Sequence, residues 1–144
     1  MQICRADQYY GAALRHLIHC GHSVENADDK PGHYRLNSNS TLLMKYAANS
    51  ANPWHFTITA EEVELLISDQ SKAGLFGEAY LLLICGRDSI CILRVEEWLE
   101  VLNVPCHKTQ FIRIDRPFRS QMSVTGSSGK LENRISRSRI RCLA

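Results

Sequence analysis

A single lysine, Lys45, stands in the otherwise apolar run at residues 41–46. Lysine is rarely buried without a partner, and an ammonium removed from water is a common catalytic or anion-binding group. Strand alternation offers a second interpretation, in which Lys45 shares a face with Leu43 and Ala47 and its stem lies along apolar surface while the ammonium reaches water. The run contains no acidic residue. Lys45 is therefore a candidate catalytic or anion-binding residue whose acidic partner must come from elsewhere.

Basic residues are concentrated near the end of the chain. From residue 112 onward there are eight Lys or Arg against two acidic residues, whereas residues 1–111 hold nine basic and thirteen acidic residues. This asymmetry indicates an anionic partner, such as DNA, RNA or an acidic protein surface, or else charge that solubilises the segment or pairs with the body. The last three arginines alternate with other residues and would line one side of an extended chain, which suits phosphate contacts. The candidate anion-binding residues are Lys45, Arg113, Arg116, Arg119, Arg137, Arg139 and Arg141.

Other chemical motifs are weak. The six cysteines are scattered without a CxxC pair, and the N-terminus has no basic region followed by a long apolar stretch, so we expect reduced thiols and a cytoplasmic protein with no membrane partner. His16 and Cys20 are one helical turn apart, but no second pair at zinc-site spacing accompanies them, and we assign no metal ligands. The segment 126–130 is too short for a phosphate-binding P-loop.

The elements that must position these residues follow from periodicity and turn signals. Residues 6–20 and 96–102 predict amphipathic helices, and Thr59 with Glu62 forms a capping box that begins another helix. Strands are predicted at 33–36, 41–47, 54–58, 79–85, 89–94 and 110–114, with an edge strand at 121–125. The order predicts an α+β or α/β fold with a single mixed, mostly antiparallel sheet flanked by helices. We expect a compact core at residues 1–116 and a basic, Ser/Gly/Arg-rich segment at 117–144, poorly packed from residue 126.

The order of helix, three strands, helix and strand is similar to the restriction-endonuclease-like, or PD-(D/E)XK, superfamily. Members carry an acidic residue at the start of the second core strand and an acid-any-lysine motif on the third, which together hold a divalent cation and activate the attacking water. Lys45 takes the place of the motif lysine, whereas Leu43 stands where the motif has an acidic residue. The resemblance implies Mg²⁺ if the chain is active, and it leaves Asp29 and Glu78 as candidate catalytic carboxylates beside Lys45.

The chain also resembles a family of small bacterial proteins without an assigned activity. The shared patterns are Asn39-Ser40 followed by Lys45-Tyr46, Pro53-Trp54-His55-Phe56-Thr57, Gly77-Glu78 followed by Cys85-Gly86, and Gly126-Ser127-Ser128-Gly129-Lys130-Leu131. These patterns cover most of the chain. They imply no activity of their own.

Three hypotheses follow from the sequence. The first is a nuclease-like, nucleic-acid-associated protein with an eroded active site and little or no catalysis. The second is a non-enzymatic interaction module or accessory subunit, as a homodimer or with a protein partner. The third is a Mg²⁺-dependent nuclease, a metal-dependent phosphodiesterase, with a migrated carboxylate supplied by Asp29 or Glu78.

Overall fold

The computed structural model describes residues 2–105, 107–118 and 120–143 of the 144-residue chain. The helices are α1 (Arg5–His19), α2 (Ala60–Lys72) and α3 (Val95–Val101), and a short 3₁₀ helix spans Arg139–Cys142. The strands are β1 (Val24–Asn26), β2 (His33–Leu36), β3 (Ser40–Ala47), β4 (Trp54–Ile58), β5 (Ala79–Cys85), β6 (Ser89–Leu93), β7 (Gln110–Asp115) and β8 (Ser123–Gly126). Among the described residues, no helix is both long and apolar enough to span a bilayer.

The strands form a five-stranded sheet in the order β1-β2-β3-β5-β6 and a three-stranded sheet in the order β4-β7-β8. Strands β3 and β5 run parallel, and every other pairing is antiparallel. The predicted α+β class with a mixed, mostly antiparallel sheet flanked by helices is confirmed. The expectation of one sheet needs correction, because β2 and β5 occupy both edges of β3 and β4 therefore pairs with β7.

Strand β3 separates two apolar cores. Leu43 and Ala47 face the larger core, which also contains residues of α2, α3 and the three-stranded sheet, whereas Leu42 and Met44 face the smaller core beneath α1. Side chains alternate between the two faces of a strand, so Lys45 belongs to the α2 face. The central strand thus places its single lysine against α2.

Local sequence explains how α2 and the β2–β3 turn begin. Thr59 Oγ1 accepts a hydrogen bond from the Glu62 amide, and Glu62 Oε1 accepts one from the Thr59 amide, as the capping box predicts. Asn37 and Ser38 adopt positive φ values of 51° and 71° in the turn between β2 and β3. Asparagine tolerates this left-handed conformation better than most residues, which favours a tight hairpin.

Two segments differ from the sequence-based expectations. Residues 24–26 form β1, which is absent from the predicted strands, because the antiparallel edge of β2 is available to them. The end of the chain is packed on the body: Leu131 and Ile135 are buried in the larger core, and Ile135 forms a β-bridge with Met122. The few aliphatic residues of this segment therefore fill the core instead of lying in a loose tail.

Candidate functional site

Lys45 finds its acidic partner on α2. Its Nζ lies 2.9 Å from both Oε1 and Oε2 of Glu62. The Lys45 side chain is 23 % exposed and that of Glu62 8 % exposed, so the ion pair is largely shielded from water. The ammonium is bound by a bidentate carboxylate that also accepts the Thr59 amide at the helix N-terminus.

The electrostatics of this pair follow from burial and hydrogen bonding. Burial acts to raise the pKa of the Glu62 carboxyl, but hydrogen bonds from Lys45 and Thr59, with the Lys45 charge, outweigh it and lower the pKa. On the other side of β3, burial raises the pKa of Tyr10 to about 12, helped by the nearby Tyr46 and Glu62. Glu62 is therefore an anion and Tyr10 a neutral phenol at physiological pH.

A second polar contact joins α2 to the neighbouring strand β2. The buried His33 of β2 lies with Nε2 2.7 Å from Asp69 Oδ2 of α2 and with Nδ1 2.9 Å from Asp28 Oδ2. Positions 62 and 69 are seven residues apart, two helical turns, and so lie on the same face of α2. Lys45–Glu62 and His33–Asp69 therefore connect the five-stranded sheet to α2 at two points.

Neither of the predicted catalytic carboxylates, Asp29 and Glu78, contacts Lys45. Glu78 stands just before β5, whose residue Ala79 pairs with Thr41, so it lies at the opposite end of β3 from Lys45. Glu78 is therefore five strand positions from Lys45, which at about 3.3 Å per residue corresponds to roughly 16 Å. Glu78 instead accepts hydrogen bonds from the Arg94 guanidinium and from the Val95 amide at the start of α3.

Asp29 is exposed in the turn before β2. Because β2 and β3 are antiparallel, this turn lies at the same end of the sheet as Lys45. Its neighbour Asp28 is the residue engaged there, accepting hydrogen bonds from the Lys30 amide and the His33 ring. Burial opposes ionisation of Asp28, but these hydrogen bonds and the adjacent charges lower its pKa.

Three of the six candidate arginines are held by carboxylates. Arg116 Nη1 lies 2.8 Å from Asp88 Oδ1, and Arg113 Nε lies 3.1 Å from Asp115 Oδ2. Arg139 Nη1 bonds to the Glu97 carboxylate and, at 3.1 Å, to the Ile92 carbonyl, which fixes the 3₁₀ helix against β6. The Arg139 pairing identifies this arginine as a packing contact as well as a surface charge.

The remaining candidates differ in position. Arg137 and Arg141 are exposed and line a cavity beside α1. Neither forms an ion pair among residues 2–105, 107–118 and 120–143. Arg119 lies outside the described residues. The candidate arginines therefore divide into a paired set and a set facing open space.

The residues around Lys45 do not fit a divalent cation as they stand. Hard cations need several oxygen ligands with free lone pairs. Both Glu62 oxygens face the Lys45 ammonium, and the buried Leu43 supplies no oxygen. Within the described part of the chain, no group of three or more His, Cys, Asp or Glu side chains is arranged to hold a metal ion.

The sequence patterns at residues 53–57, 77–86 and 126–131 contain close packing contacts. Trp54 Nε1 donates to the Asn49 carbonyl, and Phe56 is buried in the larger core. A Cβ on Gly77 would lie 1.9 Å from the Asn39 carbonyl oxygen, and one on Gly126 would lie 2.2 Å from that of Val101. These glycines allow backbones to meet, so the patterns report on the fold more than on a reaction.

Comparison with known proteins supports the fold. No family model and no curated protein matches the chain. Among solved structures, the chain is similar to Hjc, a Holliday junction resolvase from the archaeal hyperthermophile Archaeoglobus fulgidus, with a TM-score of 0.52 and 20 % sequence identity over 78 % of this chain and 85 % of the resolvase. The chain has a restriction-endonuclease-like fold. At this identity the likeness concerns the fold alone.

Glu62, His33 and Asp69 are the polar residues of the site that the sequence did not single out. Glu62 was recognisable only as the third helical residue of a capping box. His33 and Asp69 are 36 residues apart in sequence and meet only because α2 packs on β2. A charged residue on the apolar side of a helix is the one signal that could have marked Glu62 and Asp69 as partners of polar side chains on the sheet.

Proposed function

We propose that this protein is a nucleic-acid-associated relative of the restriction-endonuclease-like nucleases whose active site has eroded, with little or no catalysis. The observation that carries the proposal is the environment of Lys45. Leu43 occupies the position of the motif acid, and the Lys45 ammonium is bound in a bidentate manner by Glu62. An ammonium held in this way stabilises the junction of α2 with the sheet instead of being available to orient a water.

The charge distribution supports the nucleic-acid part of the proposal. Arg137 and Arg141 come from the basic end of the chain and face open space, unlike the paired Arg113, Arg116 and Arg139. Unpaired guanidiniums on a surface are suited to phosphate oxygens, which give affinity with little sequence preference. We propose DNA or RNA as the partner and the cytoplasm as the compartment.

The proposal is tested by fluorescence polarisation with labelled single-stranded DNA, duplex DNA, RNA and a four-way DNA junction, in the presence of Mg²⁺. Affinity should fall steeply between about 50 and 200 mM salt, because phosphate contacts release counterions. The Arg137→Ala/Arg141→Ala variant should bind more weakly and show a shallower salt dependence. Arg134→Ala, an exposed arginine of the same segment, is the matched control.

Gel electrophoresis of the same samples tests the eroded site. We expect no cleavage. The proposal would be overturned in favour of an active nuclease by Mg²⁺-dependent cleavage that is lost in Lys45→Ala and also in one of the single carboxylate variants. These carboxylate variants are Glu62→Gln, Asp29→Ala and Glu78→Ala. No binding to any nucleic acid at low salt would reject the nucleic-acid role altogether.

The second candidate is a protein-interaction module or accessory subunit. The observation that favours it is the pair Leu75 and Phe76 in the loop between α2 and β5, which are 89 % and 79 % exposed. Two adjacent large apolar side chains in water are typical of a contact surface. Size-exclusion chromatography with light scattering should then show a dimer. The Leu75→Ser/Phe76→Ser variant should be a monomer, whereas the control Ile18→Ser should remain a dimer. A wild-type protein that is monomeric at all concentrations would count against a homodimer.

A further inference from the structure

A cavity of about 1030 Å³ lies between α1, the β5–β6 turn and the C-terminal segment, on the face of the sheet opposite Lys45. Ile84 and Gly86, at the carboxyl end of β5, form part of its wall. In sheets with parallel strands, ligands bind beyond the carboxyl ends of the strands. The volume is in the range of pockets that hold a small organic ligand.

Three guanidinium groups from two separate parts of the chain converge on this cavity. Arg87 comes from the β5–β6 turn, and Arg137 and Arg141 come from the C-terminal segment. No ion pair to any of the three occurs in the part of the chain that the structure describes. The acidic residue in the wall, Asp88, is bound by Arg116 with both oxygens. The cavity therefore has an excess of positive charge that a bound anion would balance.

Part of the wall is apolar and aromatic, beside the polar side chains of Gln8, His16, His19, Ser89 and Ser138. Ile84, Ile90 and Ile140 line the cavity, as does Tyr9. One face of the Tyr9 ring stacks on Tyr46 with the centroids 4.7 Å apart, which holds the ring in place. A ligand that fits must combine an apolar or aromatic part with an anionic part, because bare phosphate would leave the apolar wall in contact with water.

A smaller cavity of about 450 Å³ lies next to the first, and Arg137 and Ser138 line both. Arg116 also lines the smaller cavity, and its Nε is buried without a hydrogen-bond partner within the described residues. A buried donor without a partner costs free energy unless a bound group satisfies it. The two neighbouring cavities, called the groove below, thus both have arginine side chains in their walls.

We propose that this groove binds a phosphorylated nucleotide unit, with the base on the Tyr9 side and the phosphate on Arg137 and Arg141. Guanidinium groups match the geometry of phosphate oxygens, and aromatic surface suits a base. The unit belongs either to a free nucleotide or to a single strand whose next phosphate reaches Arg116. The inference rests on the proposed function and adds to it the surface and the chemical unit recognised.

The test measures binding of thymidine 5′-monophosphate and of a 5′-phosphorylated oligothymidylate by calorimetry and by ¹H–¹⁵N NMR. Two variants probe the groove: Arg137→Ala/Arg141→Ala removes charge, and Ala12→Phe fills the cavity from the exposed side of α1 without changing charge. Each should weaken binding about tenfold or more. Arg134→Ala should bind as the wild type does, and circular dichroism confirms that all variants are folded.

The outcomes separate the two proposals. Oligothymidylate binding that both groove variants weaken supports the groove as the binding site. If the mononucleotide then binds as tightly as the oligothymidylate, a single nucleotide accounts for the whole affinity. Oligothymidylate binding that neither variant weakens overturns the groove and the assignment of Arg137 and Arg141 as phosphate contacts, and it leaves nucleic-acid binding at another surface standing. Mononucleotide binding in the groove without strand binding supports the groove and rejects the proposed function. No binding of either ligand overturns both.

Discussion

At the scale of single residues, the Lys45–Glu62 pair decides how the site is interpreted. A lysine on an apolar strand suggested chemistry, and the structure supplies a carboxylate that neutralises it at 2.9 Å. The same carboxylate caps α2 through Thr59. Glu62 therefore both pairs with a charge and caps a helix, and the effect of each contact can be measured as a change in the free energy of unfolding.

The ion pair is expected to show coupling in a double-mutant cycle. Lys45→Met should lower the free energy of unfolding by roughly 1–3 kcal/mol, because it leaves the Glu62 carboxylate shielded from water without its cation. Glu62→Gln, which keeps an oxygen for the Thr59 amide, should cost a similar amount. In the double variant the losses should be less than additive by about 0.5 kcal/mol or more. Denaturant titration measures all four proteins; strictly additive losses would contradict the pairing.

The lowered pKa of Glu62 predicts acid sensitivity. A carboxyl with a folded pKa below its unfolded value contributes stability that is present above the unfolded pKa and is lost as the pH falls through the folded pKa. Unfolding free energy should therefore begin to fall near the ordinary value of 4.5 and continue to fall below it.

Glu62→Gln should flatten part of this acid dependence, while Asp28, whose pKa is also lowered, retains its share. Urea titrations from neutral to acid pH measure the slopes. Identical acid slopes in wild type and Glu62→Gln would show that Glu62 does not titrate as its contacts require.

At the scale of elements, close backbone contacts fix how strands and helices meet. The turn between β2 and β3 touches the start of β5 at Gly77, and β8 touches the end of α3 at Gly126. In both places a side chain would collide with a carbonyl oxygen, which is fixed by its own backbone. The registers of neighbouring elements therefore depend on the absence of a Cβ.

A pair of glycine substitutions tests this contact. Gly77→Ala should destabilise the protein by roughly 1–3 kcal/mol or more, since its Cβ would lie 1.9 Å from the Asn39 oxygen. Gly11→Ala, on α1 with nothing within 4 Å of the added Cβ, should stabilise it by about 0.5–1 kcal/mol through helix propensity. Thermal unfolding of both variants gives the signs; a neutral Gly77→Ala would show that the turn relaxes freely.

At the scale of the whole molecule, the C-terminal segment belongs to the body that it covers. Ile135 is 1 % exposed and bridges Met122, and Arg139 ties the 3₁₀ helix to Glu97. The segment that carries the unpaired arginines is thus held at a defined place beside α1. A basic groove with fixed walls requires this docking, whereas a loose basic tail would not form one.

Ile135→Ala is expected to lower the stability of the entire protein by about 2–4 kcal/mol, because it leaves a cavity in the larger core. Unfolding should remain a single transition when followed by Trp fluorescence and by far-ultraviolet circular dichroism. Glu132→Ala, an exposed change in the same segment, should be nearly neutral. A loss confined to the C-terminal segment, with the body unaffected, would indicate an independently attached tail.

The local elements, and from their order the fold class, can be predicted from the amino-acid sequence. Periodicity, the Thr59 capping box and the turn residues located α1, α2 and most strands, because each of these signals acts within a few residues along the chain. Leu43, two residues before Lys45, is likewise the sequence observation behind the proposal of an eroded motif. These features need no knowledge of which segments meet.

The side chains that pair with Lys45, His33 and the arginines follow from how the elements pack in three dimensions. Glu62 rather than Glu78 faces Lys45, because α2 packs on the sheet face that carries the lysine. His33 meets Asp69 for the same reason. Arg139 is neutralised by Glu97, and Arg137 and Arg141 line a cavity, because of how residues 120–143 pack on the body. Contacts between residues far apart in sequence depend on how helices and strands pack on one another, and no local sequence signal specifies that packing.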